Sequence, residues 1–204
     1  MRCFDCEQNT DEWYALRLGK PTASRFDKII TPAKGTYSSA SSGLIASLIA
    51  EQLPGYERPF LSNWVERGHE MEPRARAQYI FETDFDVTEV GFVMRDDRDD
   101  VGCSPDSLVQ DGTEQGLLEI KCPKAETLIE YHLGEGLPRE YKSQVQGQMW
   151  VTDLPWCDFY AWHPELAPYV FRVERDDVFI AKLELCVYRF LKQYTKAKEL
   201  IKGV

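Results

Sequence analysis

An α/β (α+β) domain with a small central sheet flanked by helices is predicted by three observations. Helical spacing of apolar residues dominates the first 81 positions, a period of two takes over across 86–121, and helical spacing returns before two closing strands and a long last helix. The chain has 204 residues, 43% hydrophobic and 12% aromatic, which suffices for one sizeable core, excludes a disordered chain and sets the expectation of one domain over 1–204. No apolar run approaches the roughly 18–20 residues of a membrane span, and the N-terminus lacks a charged-then-apolar export signal. A soluble, non-exported chain is therefore expected.

The elements follow in order. Thr10 or Asp11 can cap a short helix carrying Trp13 and Leu16 that stops at Gly19. After Pro21, Thr22-Ala23-Ser24 starts a second short helix ending at Ile30. The Ser-rich stretch 37–42 is a loop leading into a helix over 44–53. Residues 64–81 are predicted helical, with Gly68 and Pro73 as interruptions; proline sits best in a first turn, so a restart near Pro73 is expected. Strands are predicted over 86–94, 101–109 and 117–121, the last two joined by an Asp111-Gly112 hairpin turn. Helices over 124–133 and 139–151 precede strands over 156–162 and 169–173. From a cap at Asp176, an amphipathic helix presents Val178, Leu183, Val187, Phe190, Leu191, Tyr194, Ala197 and Ile201.

Several residue types point to packing rather than chemistry. Of six cysteines, only Cys3 and Cys6 form a C-x-x-C pair, and no second pair or nearby histidine completes a zinc or iron–sulfur site. Reduced, cytosolic cysteines packed as small apolar residues are expected. His69, His132 and His163 lack metal-ligand spacing, and His69 beside Glu70 reads as a surface pair. Trp13, Trp64, Trp150, Trp156 and Trp162 are expected in the core; Trp64 with Val65 is alternatively a wedge at a duplex end.

The informative constellation is Cys103-Ser-Pro-Asp106 followed by Leu118-Glu119-Ile120-Lys121. If the hairpin is centred between Gly112 and Thr113, the numbers of directly opposed residues sum to 225, which sets Asp106 opposite Glu119. A bulge in the turn would shift this by one. Lys121, two positions on, shares the sheet face of Glu119. Two carboxylates and an ammonium on one face suit a hard divalent cation such as Mg²⁺ and hydrolysis of a phosphodiester. The plainer alternative is an exposed hairpin bearing a surface Asp, Glu and Lys, but Leu117, Leu118 and Ile120 make the second strand a buried one. For Arg17 and Ser24 the residues alone favour a helix N-cap and a surface arginine over a phosphate site.

Ser-Pro-Asp106 with Leu-Glu119-Ile-Lys121 resembles the PD-(D/E)xK nuclease signature. Further blocks make the chain similar to the bacteriophage lambda exonuclease and YqaJ-type viral recombinase family. They are Glu12-Trp13, Leu16 to Gly19, Thr22-Ala23-Ser24, Gly68 to Glu72 with Ala75, Tyr141, Gln144-Val145-Gln146, and Met149 to Thr152. The resemblance covers nearly the whole chain. It implies a restriction-endonuclease-like core with a small central mixed sheet. It implies a Mg²⁺-dependent 5′-to-3′ exonuclease acting on double-stranded DNA ends, with Mn²⁺ as a possible substitute, and leaving a 3′ overhang for a single-strand annealing protein. A homotrimer in a bacterial host cytoplasm, phage or prophage encoded, is the family precedent. By the same resemblance Asp106, Glu119 and the Ile120 carbonyl bind metal, and Glu72 joins the metal shell directly or through water. Lys121 positions or activates the attacking water, Gln144 helps orient it, and Arg17 and Ser24 hold the 5′-phosphate. Gln146 and Gln148 are weaker candidates; Gln148 shares a helix face with Gln144 and Gln146 does not. Glu70 faces away from the side of Glu72. The rivals are a restriction- or repair-type endonuclease on the same core, which needs no Arg17 or Ser24, and a non-catalytic DNA-binding module.

The formal charge of −10, from 24 Lys+Arg and 34 Asp+Glu, at first argues against a nucleic-acid partner. Residues 82–119 carry twelve acidic and two basic residues, a local −10, so the rest of the chain balances to zero. Residues 182–202 carry six basic and two acidic residues. A segregated surface is expected, with Asp96-Asp97 and Asp99-Asp100 in a solvated loop away from DNA.

Overall fold

A computed structural model of the chain describes residues 1–57 and 63–202. In chain order it runs β1 (Arg2–Phe4), α1 (Asp11–Arg17), a 3-10 helix (Ala23–Lys28), α2 (Ser41–Ala50), α3 (Asn63–Thr83), β2 (Asp86–Thr88), β3 (Phe92–Met94) and β4 (Gly102–Cys103). There follow β5 (Ser107–Gln110), β6 (Gln115–Lys121), α4 (Ala125–Leu133), a 3-10 turn (Arg139–Tyr141), α5 (Lys142–Thr152), β7 (Trp156–His163), β8 (Leu166–Glu174) and α6 (Asp177–Lys202). Five strands form a sheet in the order β2-β5-β6-β7-β8, and β1-β3-β4 form a smaller one. In the larger sheet only β6 and β7 pair in parallel, so it is mixed. The parallel step is made by a crossover through α4 and α5, as parallel neighbours require.

β6 is the strand that organises the molecule. On one face Leu117 packs with Leu128 and Tyr131 of α4, Val145 and Met149 of α5, and Phe159 of β7. On the other, Leu118 and Ile120 pack with Ala75 and Tyr79 of α3 and with Trp162. A strand covered on both faces reads as a nearly continuous apolar run, which is how 117–120 reads except at Glu119. Strand alternation therefore sends Glu119 and Lys121 toward α4 and α5, away from α3.

Three expectations are corrected. The apolar stretches 86–94 and 101–109 each split into two strands that join different sheets. At Gly91 a Cβ would lie 2.1 Å from the Cys6 carbonyl oxygen, so only glycine lets the chain pass the N-terminal segment. Pro105 lacks the N–H that would continue the β4 ladder. Second, α3 does not restart at Pro73 but runs through it. An interior proline costs about 3 kcal/mol, and fully buried Ala75 and Tyr79 anchor the helix past it. Third, the helix expected from Thr22 to Ile30 is a six-residue 3-10 helix without a side-chain cap at Thr22. Its tight period turns Ala23 and Phe26 inward together. Gly147 of α5 allows the Phe26 ring to approach where a Cβ would sit 2.4 Å away, so α5 and the 3-10 helix are locked together. The three-residue β1, too short to carry a periodic signal, was not anticipated.

All six cysteines are free thiols. Trp13, Trp150, Trp156 and Trp162 are buried as expected; the wedge proposed at Trp64 and Val65 rests on side chains outside the described residues, as does the pairing expected of His69. Among the described residues no helix is long and apolar enough to cross a membrane. The acidic loop pairs internally, with Asp96 on the N-terminal amine, Asp97 on Arg95, Asp99 on Arg2 and Asp100 on Arg98.

α6 buries Phe179, Ile180, Leu183, Cys186, Val187, Phe190 and Tyr194. Val178 is exposed, because it lies about 140° around the helix from Leu183 at 100° per residue. Ile201 is exposed too, beyond the end of the core. Asp176 is the cap: its Oδ1 accepts from the Phe179 N–H at 2.9 Å and its Oδ2 pairs with Lys142 Nζ at 3.1 Å. The Phe179 N–H, with Lys142, holds the Asp176 carboxyl below its ordinary range. Asp176→Ala is expected to cost about 1 kcal/mol, lowering Tm by about 2–4 °C for a chain this size. A lowered carboxylate pKa contributes stability above the unfolded value of about 4 that is lost as pH falls through the folded value. Paired thermal melts should therefore show the gap at neutral pH and its closure in acid; a gap independent of pH refutes the cap's ionic part.

Candidate active site

Asp111-Gly112 turns β5 into β6, with the Glu114 N–H on Asp111 Oδ1 at 3.2 Å and Gly112 at φ +98°. The register matches the expectation, with Ser107 opposite Leu118 and Leu108 opposite Leu117, numbers that each sum to 225. No bulge intervenes. The regular pairing stops there: Asp106 is not paired with Glu119 as expected, and its N–H donates to the Leu118 carbonyl at 3.1 Å, one residue out of that register. Asp106 Oδ2 then accepts from the Ile120 N–H at 2.5 Å, which turns its carboxylate over the end of β6 beside Glu119.

Glu119 is 1% exposed, and both its oxygens are gripped. Oε1 accepts from Lys121 Nζ and from Gln144 Nε2, the latter at 2.5 Å, while Oε2 accepts from Gln148 Nε2 at 2.6 Å. Gln144 and Gln148 are one turn apart on α5, so one helix face delivers both amides to one carboxylate. Gln146 points elsewhere, to the Glu174 carbonyl and the Asp176 N–H. Gln148 Oε1 is buried without a hydrogen-bond partner, a cost of about 1–3 kcal/mol.

The electrostatics are those of a site short of positive charge. Burial, then the neighbouring Glu119, pushes the Asp106 carboxyl well above its usual range, against the opposing pull of Lys121 and the Ile120 N–H. For Lys121, burial works to lower the pKa, but Glu119 and Asp106 outweigh it and hold the ammonium protonated. Its charge also lies 5.5 Å from the centre of the Tyr141 ring.

The Arg17 side chain is half-buried rather than a surface group. It stacks 4.0 Å from the centre of the Trp13 ring and donates to Ser104 Oγ at 3.0 Å and Thr22 Oγ1 at 3.2 Å. Thr22 Oγ1 lies 3.3 Å from Ser24 Oγ, so Thr22 links the Arg17 guanidinium to the Ser24 hydroxyl. Burial draws the Arg17 pKa down to about 10, still cationic at neutral pH. The six-residue 3-10 helix gives Ser24 no long helix dipole, so the polarity here comes from Arg17 and the hydroxyls.

Glu72 projects from α3 into the cleft, while Glu70 is exposed. Buried Arg76, one turn after Glu72, fastens it: Nη2 donates to Glu72 Oε1 at 2.5 Å and to the Asp106 carbonyl at 3.4 Å, and Nε donates to Ser107 Oγ at 3.0 Å. Arg76 thus ties α3 to the carboxylate-bearing end of β5. Glu72 shares the cleft with Asp106 and Glu119 and is close enough to raise the Asp106 pKa. The Asp106 and Glu119 carboxylates and the Ile120 carbonyl, all hard oxygen, are the groups here that could hold a metal ion. They fit a cation that keeps several waters, and the raised Asp106 pKa marks the charge deficit such an ion relieves.

Arg17, Ser24, Glu72, Asp106, Glu119, Ile120, Lys121 and Gln144 all line one cleft of about 1230 Å³. Sequence reasoning left three contributors without a role. Arg76 was signalled by its i+4 spacing from Glu72, and Ser104 by its place inside the Ser-Pro-Asp motif. Gln148 was ranked low although its spacing from Gln144 was noted.

A mixed sheet carrying paired carboxylates and a lysine at a hairpin, backed by a buried helix, is a restriction-endonuclease-like α/β fold. An alkaline exonuclease from Laribacter hongkongensis, LHK-Exo, superposes with TM-score 0.83 at 40% identity, over 95% of this chain and 97% of its own. The same protein crystallised with dAMP matches equally. The chain belongs to the YqaJ-like viral recombinase domain family, whose model matches residues 12–155, a span that holds every candidate site residue. A phage-related exonuclease from Haemophilus somnus shares the fold at TM-score 0.65 and 16% identity, over 89% of this chain and 96% of its own. An uncharacterised protein of Acanthamoeba polyphaga mimivirus is 30% identical over 163 residues, 75% of this chain but only 28% of that longer protein.

Proposed function

We propose that the chain is a Mg²⁺-dependent deoxyribonuclease that degrades one strand of linear duplex DNA 5′ to 3′ from a phosphorylated end. The 3′ overhang would serve strand annealing in phage recombination. The observation that carries this reading is the single cleft that joins the Asp106–Glu119–Lys121 group to the Arg17–Ser24 pair. The likeness to LHK-Exo, described as an alkaline exonuclease and crystallised with a deoxynucleoside monophosphate, supports it.

Asp106, Glu119 and the Ile120 carbonyl would hold the metal, Mg²⁺ or alternatively Mn²⁺, with Glu72, ordered by Arg76, joining the metal shell directly or through water. When bound, the ion supplies Lewis-acid polarisation of the scissile phosphate. Lys121, in contact with the Glu119 carboxylate, would position or activate the attacking water. Gln144 steadies the Glu119 oxygen nearest that water. Arg17, with Ser24 and Ser104, presents a cation and hydroxyls to a terminal phosphate, which fixes the strand's polarity in the cleft. The whole chain is read as one nuclease domain acting as a homotrimer, in the cytoplasm of a bacterial host, with a single-strand annealing protein as partner.

Linear duplexes with 5′-phosphate or 5′-hydroxyl ends and covalently closed circles test the reading, each with and without EDTA. Phosphorylated ends should be degraded on the order of tenfold or more faster, the worth of a charge-assisted contact. Arg17→Ala should erase that preference, EDTA should stop the reaction, and circles should stay intact. Rapid cutting of closed circles would establish an endonuclease instead.

A further inference from the structure

Glu119 is held by two glutamines that differ in one respect. Gln144 lines the cleft, whereas Gln148 is 1% exposed and lines neither of the clefts beside α5. Gln148 cannot touch a substrate in the cleft. Among the described residues the one hydrogen bond its side-chain amide makes is to Glu119 Oε2, at 2.6 Å, and its own Oε1 is left buried without a partner. An apolar side chain of equal length would carry no such orphan. The amide is thus spent on one contact, the far oxygen of the buried carboxylate.

That contact has a geometric consequence. With Oε2 drawn toward Gln148 in the interior, Oε1 is the oxygen shared with the cleft residues Lys121 and Gln144. We propose that Gln148 is a positioning residue that makes Glu119 offer a divalent cation one oxygen, Oε1, instead of both. Mg²⁺ and Mn²⁺ take single carboxylate oxygens in near-octahedral shells, whereas Ca²⁺ accepts bidentate carboxylates readily. The Gln148 grip selects for the smaller ions. This rests on reading Asp106 and Glu119 as the metal-holding pair, and the experiment separates the two claims.

Binding of Mg²⁺ and of Ca²⁺ is measured by calorimetry on the metal-free, full-length protein and on Gln148→Met, Gln148→Leu and Gln148→Asn, alongside thermal melts. Removing a group that orients a metal ligand lowers affinity by about 10–100-fold, so Gln148→Met should lose Mg²⁺ affinity on that scale while Ca²⁺ affinity changes far less. The Mg²⁺/Ca²⁺ ratio therefore falls. Gln148→Asn, one methylene too short to reach Oε2, should behave like Gln148→Met. Metal-free Tm of Gln148→Met should fall modestly, because Glu119 Oε2 loses its buried donor while the orphaned carbonyl disappears, and Gln148→Leu provides a second apolar variant if methionine packs poorly. A well-folded Gln148→Met or Gln148→Leu with an unchanged Mg²⁺/Ca²⁺ ratio overturns the positioning role and leaves the metal pair standing. Absence of Mg²⁺ binding in the unmutated protein overturns both.

Discussion

Lys121→Ala will lower the single-turnover rate of strand cleavage by about a hundred- to a thousandfold, the usual loss for one donor aimed at developing charge, while duplex binding stays within a fewfold. The rate should collapse because Lys121 is the one cation in direct contact with the Glu119 carboxylate among the described residues, an ion pair that places its ammonium at the carboxylate edge. Binding should survive because affinity for DNA is spread over many phosphate contacts. The fold should survive as well: Glu119 keeps the Gln144 and Gln148 amides, so its buried charge is not stripped bare. Lys121→Met, which keeps the stem and loses the charge, should be as slow as alanine. Single-turnover rates beside binding measured by fluorescence anisotropy decide it. A full-rate Lys121→Ala refutes the mechanism, and parallel loss of binding shows that Lys121 serves affinity instead.

What the sequence made legible here was local and periodic. A hairpin signal at Asp111-Gly112 set the register of β5 and β6, and alternation along β6 put Glu119 and Lys121 on one face, so the candidate catalytic group was within reach of arithmetic. The i, i+4 rule likewise put Gln144 and Gln148 on one side of α5. The allocation of strands to sheets was not legible. A period of two says that residues alternate, not which neighbour they pair with, and the breaks at Gly91 and Pro105 became decisive only once Cys6 and Leu118 were in place. Arg17 shows the same limit: its stack on Trp13 and its bond to Thr22 are local, but its bond to Ser104 lies 87 positions away, so spacing alone left it a surface arginine. Gln148 was undervalued for a related reason. Its importance lies in a contact 29 positions away in sequence, across a helix–strand interface.

Asp106→Asn should have two opposite effects, and their opposition is what makes the variant informative. Cleavage should fall on the order of a thousandfold or more, because the substitution removes one of the two carboxylates read as holding the metal and leaves an amide that binds hard cations weakly. The metal-free protein should at the same time become more stable. Asp106 is enclosed beside Glu119, and burial with that like charge raises its pKa. A carboxyl whose folded pKa lies above its unfolded value contributes stability below the unfolded value and loses it as pH rises through the folded one. At higher pH the native state must therefore carry either an unfavourable charge or a proton taken up at a cost, and asparagine carries neither. Its Oδ1 can still accept from the Ile120 N–H, so the turn over β6 is preserved. Relief of that burden would raise Tm above the folded pKa of Asp106 and leave it unchanged in acid. Adding Mg²⁺ should stabilise the unmutated protein and not the variant, so the order of the two melting curves converges or reverses with saturating metal. A variant that is inactive and less stable at every pH would instead show that Asp106 is a structural residue whose loss disturbs the hairpin. Gain of stability with loss of activity, confined to pH above the raised pKa and opposed by Mg²⁺, is the signature of a carboxylate kept in an unfavourable place for the sake of the ion it binds.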